Sequence, residues 1–586
     1  MKEKWIRRGT ELSPIQLKET AEKWNVSEEA VRIAANRGVT NFAEYFGEGV
    51  IFDGEDMLDM RKAVRLLTSA LQNGENIRIV GDYDMDGCMS TYILHRALKG
   101  LVKKYAFSSR ISYDIPDRIK DGYGINERIV RSAYDDKVDV LLTCDNGIAA
   151  FDALDLARCL CITTIVTDHH RVPQSEEGND ILVDADAIVN PHRQGDPTEY
   201  KDICGAVVAF KLVRNLYRSF GLSQEYVDKA FLGYAAFATI TDVMPLIKEN
   251  RSIVKKGLPL LRSNYGLSVL CDKCKIDPKH KLTSEDIGFT LGPCGNAAGR
   301  IGDVKDMLWL LEHQEKSDIE VMAVKLVSLN EKRKDLCSIA EEKACKIADE
   351  RIAAGDRVLV LYVPGTHEGI VGIVAGRIRE KYNLPSFVFT DAEEGLKGSG
   401  RSTETWDMFA HLTEAKEYTI RFGGHPGAAG VTVASEEMLM QLRDFLNAHC
   451  EITDEDLIRK VYYDDELSVE DLTVPMIESL SALEPVGTGN EAPIFFMRDI
   501  KGSLTIIGKD YQTVRIRPEN TDASLIAFRA GDATVEKAAR KYRLDENEIR
   551  FSDSTTVKVS LVGKTSINEF QGNKTPQLIM DSYVFV

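Results

Sequence analysis

The chain has 586 residues, of which 44% are hydrophobic and 28% charged, and its formal net charge is −18. This length predicts roughly three to five domains with packed cores, and the acidity argues against a surface coated throughout with DNA-binding charge, although it permits a local basic groove. No stretch approaches the roughly 20 apolar residues of a membrane span, and no apolar signal region follows the charged residues 1–8, so we expect a cytoplasmic protein without a membrane partner.

Eleven cysteines are scattered along the chain. An odd number without regular spacing indicates reduced thiols, not a disulfide framework. The one Cys-x-x-Cys pair is Cys271 and Cys274, and His280 and Cys294 are the only nearby residues that could complete a zinc site. Such a pair is weak support for zinc by itself, so zinc is kept here only as a minor alternative.

The first 49 residues carry no motif with a clear meaning, and the readable pattern starts near residue 76. From there to residue 189, short apolar runs alternate with helical stretches. The predicted strands are residues 77–80, 138–143 and 162–167, with a further strand starting at residues 181–183. Strands that alternate with helices predict a parallel α/β sheet whose two faces are both covered.

The strongest local signal is Gly-Asp-Tyr-Asp-Met-Asp-Gly at residues 81–87, directly after the first predicted strand. In an extended turn, residues two apart point the same way, so Asp82, Asp84 and Asp86 can converge on one point. Carboxylates so close repel each other unless a cation neutralises them, and carboxylate oxygens suit Mg²⁺ and Mn²⁺. The alternatives are a solvated acidic turn or a calcium loop, but the helix after Gly87 lacks the glutamate of an EF-hand loop.

Two further predicted strands end in similar residues. The second leads to Asp145, and the third leads to Asp168, His169 and His170. The carboxyl ends of parallel strands share one edge of a sheet, so these side chains are expected to form one metal cluster with the acidic turn. Asp242 ends an apolar helical stretch, and sequence spacing alone does not place it in this cluster.

The rest of the chain has three further parts. Apolar residues at helical spacing predict one long helix over residues 316–353, which is either a connecting rod or a packed helix of one domain. Residues 357–449 form a mixed, glycine-rich α/β segment. Short strands at residues 502–517, 523–528, 555–562 and 577–586 are typical of a small barrel such as an OB-fold.

Together these motifs resemble the DHH phosphoesterase superfamily, which is named after the triplet that stands here as Asp168-His169-His170. Later segments narrow the resemblance to the RecJ family, and it covers almost the whole chain from about residue 50. These segments are residues 113–118 (Tyr-Asp-Ile-Pro-Asp-Arg), 121–124 (Asp-Gly-Tyr-Gly), 289–300 (ending in Asn-Ala-Ala-Gly-Arg), 367–377 (opening with His-Glu-Gly-Ile-Val-Gly), 397–402 (Lys-Gly-Ser-Gly-Arg-Ser), 423–430 (Gly-Gly-His-Pro-Gly-Ala-Ala-Gly) and 483–490 (Leu-Glu-Pro-Val-Gly-Thr-Gly-Asn).

The resemblance implies an α/β protein in which a parallel-sheet DHH domain is joined by a long helix to a smaller α/β DHHA1 domain, followed by a C-terminal β-barrel of the OB-fold type. The expected divisions are an N-terminal segment (1–49), the DHH catalytic domain (50–315), the connecting helix (316–354), the DHHA1 substrate-binding domain (355–454), and a linker with the OB-fold (455–586).

The resemblance also implies roles for individual residues, with two divalent ions, Mn²⁺ or Mg²⁺, as cofactors. Asp84 and Asp145 would hold one ion, and Asp82 would complete its ligands. The ligands of the other ion would be Asp86, Asp145, His169 and Asp242. His170 would face the phosphate and Asp168 would orient its neighbours, both as catalytic residues. The expected substrate-binding residues are Arg118, Arg300, Arg377, Ser399, Arg401 and His425.

This sequence departs from the family pattern at two places. Many relatives carry a histidine where Val80 stands, and many carry Arg-Leu where Cys294 and Gly295 stand. The first departure concerns a nitrogen ligand of one ion, and the second removes a possible phosphate contact.

The function that the resemblance implies is a 5′→3′ exonuclease specific for single-stranded DNA, acting in DNA repair and recombination by two-metal hydrolysis. Its expected partners are single-stranded DNA with a 5′ end, a single-strand-binding protein and a RecQ-type helicase, and the expected state is a monomer. In the barrel, basic and aromatic residues would track a single strand, namely Lys509, Tyr511, Arg515, Arg517, Phe528, Arg529 and Phe570. Two alternatives remain open: a DHH nuclease for short oligonucleotides or cyclic dinucleotides, and an inactive RecJ-like replication scaffold.

Overall fold

The structure, a computed structural model, describes residues 3–9, 12–508, 510–552 and 554–586. These residues form two compact units, of which the first is Val50–Leu457 and the second combines residues 3–49 with Ile458–Val586. Within the described ranges, none of the helices has the length and apolarity needed to span a bilayer.

The chain begins in the second unit with one strand and three short helices. Side chains of Ser13, Ser27 and Asn41 accept hydrogen bonds from backbone N–H groups in the first turns of the helices, which fixes where each helix begins. The elements are β1 (Glu3–Arg7), α1 (Pro14–Trp24), α2 (Glu28–Asn36) and α3 (Phe42–Phe46).

The first unit opens with the predicted parallel sheet. Its five strands run in the spatial order β3-β2-β4-β5-β6, and every neighbouring pair is parallel. The strands are β2 (Ile77–Val80), β3 (Ile111–Asp114), β4 (Val140–Cys144), β5 (Thr163–Thr167) and β6 (Ala187–Val189). The strand predicted at residues 181–183 is wrong: Ile181 and Leu182 are exposed, and the sheet is extended instead by the fully buried residues of β6.

Helices cover this sheet and continue into a helical segment. They are α4 (Met60–Asn73), α5 (Met85–Tyr105), α6 (Glu127–Asp135), α7 (Phe151–Cys159), α8 (Gly205–Ser219), α9 (Gln224–Thr241), α10 (Lys248–Gly257), α11 (Tyr265–Lys273), α12 (Gly292–Ile301) and α13 (Lys305–Glu312), with a 3₁₀ turn at Leu258–Ser263 and a π-helix at Asp286–Leu291. Two hydrophobic clusters fill the two faces of the sheet. The predicted long helix is observed as α14 (Lys316–Ala353), whose residues pack into both the first cluster and a cluster of the following segment.

The second part of this unit is a smaller mixed sheet with the order β10-β11-β9-β8-β7, in which β7 and β8 are parallel and the other pairs antiparallel. The strands are β7 (Leu359–Tyr362), β8 (Ser386–Ala392), β9 (Gly395–Arg401), β10 (Arg421–His425) and β11 (Ala428–Val433). The helices are α15 (Val371–Tyr382), α16 (Met408–Glu414) and α17 (Glu436–Ala448), with 3₁₀ turns at Glu368–Ile370 and Lys416–Tyr418.

The second unit contains a closed barrel. Strand β14 pairs with both β15 and β17, and the order β14-β15-β16-β18-β17 therefore returns to its start, as in an OB-fold. The strands are β12 (Arg459–Tyr463), β13 (Asp465–Glu466), β14 (Ile494–Ile507), β15 (Thr513–Pro518), β16 (Ser524–Ala527), β17 (Thr555–Phe570) and β18 (Asn573–Phe585). The helices are α18 (Val474–Ser479), α19 (Gly531–Tyr542) and α20 (Glu546–Phe551), with a 3₁₀ turn at Leu480–Leu483.

Residues 3–49 are an integral part of this unit. Strand β1 pairs in parallel with β12. Arg37 binds the fully buried Asp464 through two hydrogen bonds of 2.8 and 2.7 Å, and Ala30, Ile33 and Ala34 of α2 pack into the barrel's hydrophobic cluster. A buried carboxylate needs such a partner, so this contact fixes the N-terminal helices to the barrel.

Candidate metal centre and substrate cleft

The acidic turn lies between β2 and α5, and each of its carboxylates has a different backbone partner. Asp84 caps α5, because its Oδ1 accepts the N–H of Gly87 at 3.0 Å. Asp86 is buried at the N-terminus of α8, where its two oxygens accept the N–H groups of Gly205 at 2.6 Å and Ala206 at 2.8 Å. The positive end of a helix stabilises a carboxylate in this position.

Asp145 and His169 bring the other strand ends to the same place. Asp145 follows β4 with a left-handed φ of 62°, and its side chain is buried. Its Oδ1 lies 3.1 Å from His169 Nε2, and that nitrogen is 3.5 Å from Asp86 Oδ2 and 3.7 Å from Asp242 Oδ2. Three carboxylates from distant parts of the chain thus surround one imidazole nitrogen, and Asp242, at the end of α9, is one of them.

Glycine at position 205 is required for this approach. A Cβ atom there would lie 2.7 Å from the Cβ of Asp145 and 2.9 Å from its Cα, closer than real Cβ contacts. The start of α8 can therefore touch both Asp145 and Asp86 only because residue 205 has no side chain.

The cluster has the properties of a divalent metal site. Asp82 Oδ2 and Asp242 Oδ2 are buried and have no hydrogen-bond partner among the described residues. Burial, and after it the charges of neighbouring aspartates, raises the pKa of Asp82, Asp145 and Asp242 well above the usual range. Such crowding is unfavourable without a cation, and carboxylates with an imidazole are ligands that suit Mn²⁺ and Mg²⁺. The residues therefore fit a metal centre.

Asp168 and His170 form a coupled pair beside the cluster. Asp168 Oδ1 accepts the N–H groups of His169 at 2.7 Å and His170 at 3.1 Å, and it lies 2.8 Å from His170 Nδ1. Although burial opposes ionisation of both side chains, their mutual attraction lowers the pKa of Asp168 to about 2 and raises that of His170 to about 9. Asp168 therefore favours the protonated form of His170 and holds its ring next to the metal ligands.

Several residues that support the site were not identified from the sequence. Tyr123 donates its hydroxyl hydrogen bond to the carbonyl oxygen of Asp145 at 2.6 Å and lies 3.1 Å from His170 Nδ1. Asn146 donates to the carbonyl of Val80 at 3.0 Å, and Asn296 accepts the N–H of Met85 at 3.2 Å. Only tertiary contacts reveal these roles; for Tyr123, its place in the Asp-Gly-Tyr-Gly motif was the available signal.

The two departures from the family pattern have clear structural consequences. Val80 is buried at the end of β2, where it contributes no nitrogen ligand. A Cβ atom on Gly295 would lie 2.2 Å from Met85 Sδ, so Met85 occupies the space of the missing side chain. Cys294 lies 3.8 Å, sulfur to sulfur, from Cys274. Among the described residues, the groups of three side chains that could share an ion contain aspartate and histidine only, which does not support the zinc alternative.

A cleft of about 410 Å³ lies beside the acidic turn, and Tyr83 of that turn is part of its lining. The lining carries both charges: Arg118, Arg300 and His367 on one hand, and Asp114, Asp117, Asp121 and Asp303 on the other. The Arg118 guanidinium stacks 4.6 Å above the centre of the Tyr83 ring. Burial, followed by the charges of Arg118, Arg333 and Arg401, lowers the pKa of Arg300 to about 10. Arginines that face one another in this way favour binding of an anion such as a phosphate.

The other expected substrate-binding residues lie on the smaller sheet and on α15. Arg401 donates to Ser399 Oγ at 3.0 Å, and a Cβ on Gly372 of α15 would be 3.0 Å from the same oxygen. Arg401 is opposite Ala428 on β11, which is opposite the exposed His425 on β10. Arg401, Ala428 and His425 therefore lie on the same face of the sheet. Arg377 differs from them, because it forms an ion pair of 2.6 Å with Glu341 of α14.

Three family models match the chain along its length. They are the DHH family N-terminal domain at residues 76–239, the DHHA1 domain at residues 355–451 and the RecJ OB domain at residues 463–582.

Full-length relatives decide the family. The single-stranded-DNA-specific exonuclease RecJ of Escherichia coli (strain K12) is 30% identical over 580 residues, which cover 94% of this chain and 95% of that protein. The chain belongs to the RecJ family. The RecJ of Bacillus subtilis (strain 168) is 33% identical over 538 residues, and this chain spans 64% of its length.

Solved RecJ structures have the same fold. The crystal structure of RecJ from Thermus thermophilus in complex with Mn²⁺ matches 99% of this chain and 79% of that one, with a TM-score of 0.80 and 26% identity. The complex of the same protein with Mg²⁺ matches with a TM-score of 0.73 and 25% identity. The expected fold class, with its parallel-sheet domain, DHHA1 domain and OB-fold, is therefore confirmed.

Proposed function

We propose that this protein is a single-stranded-DNA-specific exonuclease that hydrolyses phosphodiester bonds with two divalent ions, Mn²⁺ or Mg²⁺, and removes nucleotides from the 5′ end. The observation that carries the proposal is the cluster of aspartates around His169 Nε2, with buried carboxylate oxygens that have no hydrogen-bond partner in the described part of the chain. Membership of the RecJ family supports the reaction and the substrate, and solved RecJ complexes with Mn²⁺ and Mg²⁺ support the choice of ions.

The metal ligands would be divided between the two ions. Asp84 and Asp145 would hold one ion, with Asp82 beside them, and Asp145 would be shared with the other. The second ion would also be held by Asp86, His169 and Asp242. When bound, the ions lower the pKa of a water molecule and neutralise charge that develops on the phosphate.

The residues around the cluster have separate tasks. His170, an imidazolium held by Asp168, places positive charge and a proton beside the phosphate and is a proton donor for the leaving oxygen. Tyr123 fixes the backbone of Asp145 through its hydrogen bond to the carbonyl oxygen. Asp168 accepts hydrogen bonds from both histidine backbones, which keeps His169 turned towards the carboxylates.

The arginines of the cleft and the smaller sheet would hold the DNA strand. Arg118 and Arg300 would bind backbone phosphates, and Ser399 with Arg401 would bind the terminal 5′ phosphate, because an arginine fork matches phosphate oxygens. His425 lies in the same row of the sheet as Arg401 and would contact the same strand. Arg377 is retained as a candidate contact, although binding there would compete with Glu341.

The barrel would bind a further part of the single strand. Arg515 and Arg517 alternate with the buried residues Val514 and Ile516 on β15, so the arginines face outwards. Tyr511, Phe528 and Phe570 are exposed aromatic residues of the same unit, and Arg529 follows Phe528 in the chain. Exposed aromatic rings between cations favour base stacking with backbone contacts. Lys509 lies outside the described residues.

The two alternatives are not favoured. An inactive scaffold would lose its acidic ligands, whereas Asp84, Asp86, Asp145, His169 and Asp242 are all present. A nuclease for dinucleotides or cyclic dinucleotides is typically built from two α/β domains, whereas this chain carries a RecJ OB domain.

The division into an N-terminal segment, catalytic domain, connecting helix, DHHA1 domain and OB-fold at residues 49/50, 315/316, 354/355 and 454/455 stays a prediction. Cytoplasmic location, a monomeric state, a single-strand-binding protein and a RecQ-type helicase as partners, and a role in DNA repair are likewise proposed on the family resemblance.

The proposal is tested by digesting a single strand labelled at either end, with Mn²⁺, with Mg²⁺ and with a chelator. Nucleotides should be released from the 5′ end only, a blunt duplex should resist, and the chelator should stop the reaction. Asp145→Ala should abolish turnover, while Asp155→Asn, an exposed aspartate on α7, should not. Cleavage by Asp145→Ala, or in chelator, would refute the two-metal scheme, and rapid cleavage of dinucleotides alone would favour the alternative nuclease.

A further inference from the structure

Phe289 is exposed to an unusual degree. The residue is 80% accessible, more than any other large apolar residue that the structure describes. Burying a phenylalanine is favourable by roughly 1.5–3 kcal/mol, so the fold gains nothing from this residue at this position. A single exposed apolar residue is common on protein surfaces, so its meaning depends on what lies beside it.

The segment that carries Phe289 packs against the end of α9, the helix that leads to Asp242. Phe289 lies in the π-helix Asp286–Leu291. Such turns are rare in proteins, and those that occur are often found at functional sites. A Cβ on Gly288 would be 3.6 Å from Ile240 Cγ2, and one on Gly292 would be 2.5 Å from Thr241 Cγ2. Glycines on both sides of Phe289 therefore contact the last turn of α9, and the next residue after that turn is Asp242.

A second exposed apolar residue follows Asp242. The N–H groups of Val243 and Met244 donate to the carbonyls of Ile240 and Thr239, both at 3.1 Å, in the manner of a Schellman motif. Val243 has a φ of 59° in the position that glycine usually fills, and this conformation costs a β-branched residue roughly 1–2 kcal/mol. Val243 is nevertheless 63% exposed. Val243 thus keeps an unfavourable backbone conformation while most of its apolar surface stays in contact with solvent.

Asp242 is the most exposed of the three carboxylates around His169 Nε2. The side chain of Asp242 is 24% exposed, whereas those of Asp86 and Asp145 are 1% and 3% exposed. Val243 directly follows Asp242, and the segment that carries Phe289 contacts the same end of α9. A phosphate that reached the cluster past Asp242 would therefore meet these residues. We call these two side chains the apolar rim.

We propose that the apolar rim binds the unpaired base next to the phosphate that is cleaved, with the Phe289 ring stacked on the base. This inference rests on the proposed function and adds a determinant of its specificity. The faces of a base are accessible in a single strand but covered by neighbouring pairs in a duplex, so a rim that must stack on a base favours single strands. A phenyl ring offers no hydrogen bond to a base edge, so the contact accepts any sequence.

The test compares Phe289→Ala with the wild type on two Mn²⁺-supported substrates, a normal strand and one with abasic sites at its first nucleotides. The wild type should cleave the normal strand with a kcat/KM about 5-fold to 100-fold above that of the abasic strand. Phe289→Ala should lower this preference to within about twofold by slowing cleavage of the normal strand only, and Phe289→Trp should restore it.

Val321→Ala is the matched control, because Val321 is an apolar residue of α14 that is 71% exposed. This variant should cleave the normal and the abasic strand at the wild-type rates. The melting temperature of Phe289→Ala should equal that of the wild type. Unchanged kinetics in Phe289→Ala, or slowing of both strands by the same factor, would overturn the proposal. A wild type that hydrolyses neither strand would instead refute the proposed function, so the two failures can be distinguished.

Val243→Gly tests the other half of the rim. It removes the side chain and relieves the backbone, so the melting temperature should rise while the preference for the normal strand falls. A higher melting temperature with an unchanged preference would remove Val243 from the rim.

Discussion

Replacing Asp242 by asparagine should stabilise the metal-free protein and weaken its stabilisation by metal. The oxygens of Asp86 and Asp242 lie within 4.8 Å of each other and of His169 Nε2. At that separation, two ionised carboxylates repel each other by about 3.5 kcal/mol at an effective dielectric constant of about 20. Part of this cost is avoided by protonation, because burial and the charges of Asp86 and Asp84 raise the pKa of Asp242.

The expected gain for Asp242→Asn at neutral pH is therefore about 1–3 kcal/mol in chelator. The direction in which folding stability changes with pH follows from the raised pKa of Asp242. The folded state holds the proton of Asp242 more tightly than the unfolded chain, so stability decreases as pH rises from the unfolded pKa of about 3.9 through the higher folded value. The variant should lose this part of the pH dependence.

The assay is thermal unfolding in chelator and in Mn²⁺. Mn²⁺ at about 100 times its dissociation constant should stabilise the wild type by about 2.7 kcal/mol, and it should shift the variant much less. Exonuclease activity should fall at least about 100-fold, as expected for loss of a metal ligand. Asp155→Asn is the control and should match the wild type throughout. A variant that is less stable than the wild type in chelator would refute the view that carboxylate crowding stores energy for metal binding.

Three further predictions concern neighbouring parts of the site. Because Asp168 raises the pKa of His170 from its usual 6.5 to about 9, activity should decline as the pH rises through about 9. In a pH–rate profile, Asp168→Asn should move this decline towards pH 6.5. A decline that stays at the same pH in the variant would contradict the role of the pair. In Gly205→Ala, the new Cβ would lie 2.7 Å from the Cβ of Asp145. This variant should have a lower kcat and a smaller Mn²⁺-induced rise in melting temperature. Normal values for both would contradict the close approach of α8 to Asp145. Arg401→Gln should reduce the preference for a 5′-phosphorylated over a dephosphorylated strand by about tenfold or more in kcat/KM, as expected for a charged hydrogen bond, and an equal preference would remove Arg401 from the phosphate site.

The sequence predicted most of the cluster because local rules apply to it. Asp145, Asp168 and His169 directly follow predicted strands, and parallel strands end at one edge of a sheet. Asp242 obeys no such rule. It lies at the end of a helix, and only the fold brings it to 3.7 Å from His169; family resemblance had to supply it.

The errors and omissions have physical reasons. Residues 181–183 were predicted as a strand because they are apolar, but Ile181 and Leu182 face solvent and β6 begins at Ala187. The N-terminal helices had no interpretable motif because their partners are distant in sequence: Arg37 and Asp464 are 427 positions apart. Helices α19 and α20 within the barrel unit were not predicted, since the alternating strands around them dominated the pattern.

The central claim is that the clustered aspartates and His169 hold two divalent ions. Equilibrium dialysis against Mn²⁺, with metal counted per chain, tests it most directly. The wild type should bind two ions, and Asp145→Ala should lose both or retain only weak binding, because Asp145 would be shared between them. Binding of one ion or none by the wild type at saturation, or unchanged binding by Asp145→Ala, would contradict the account.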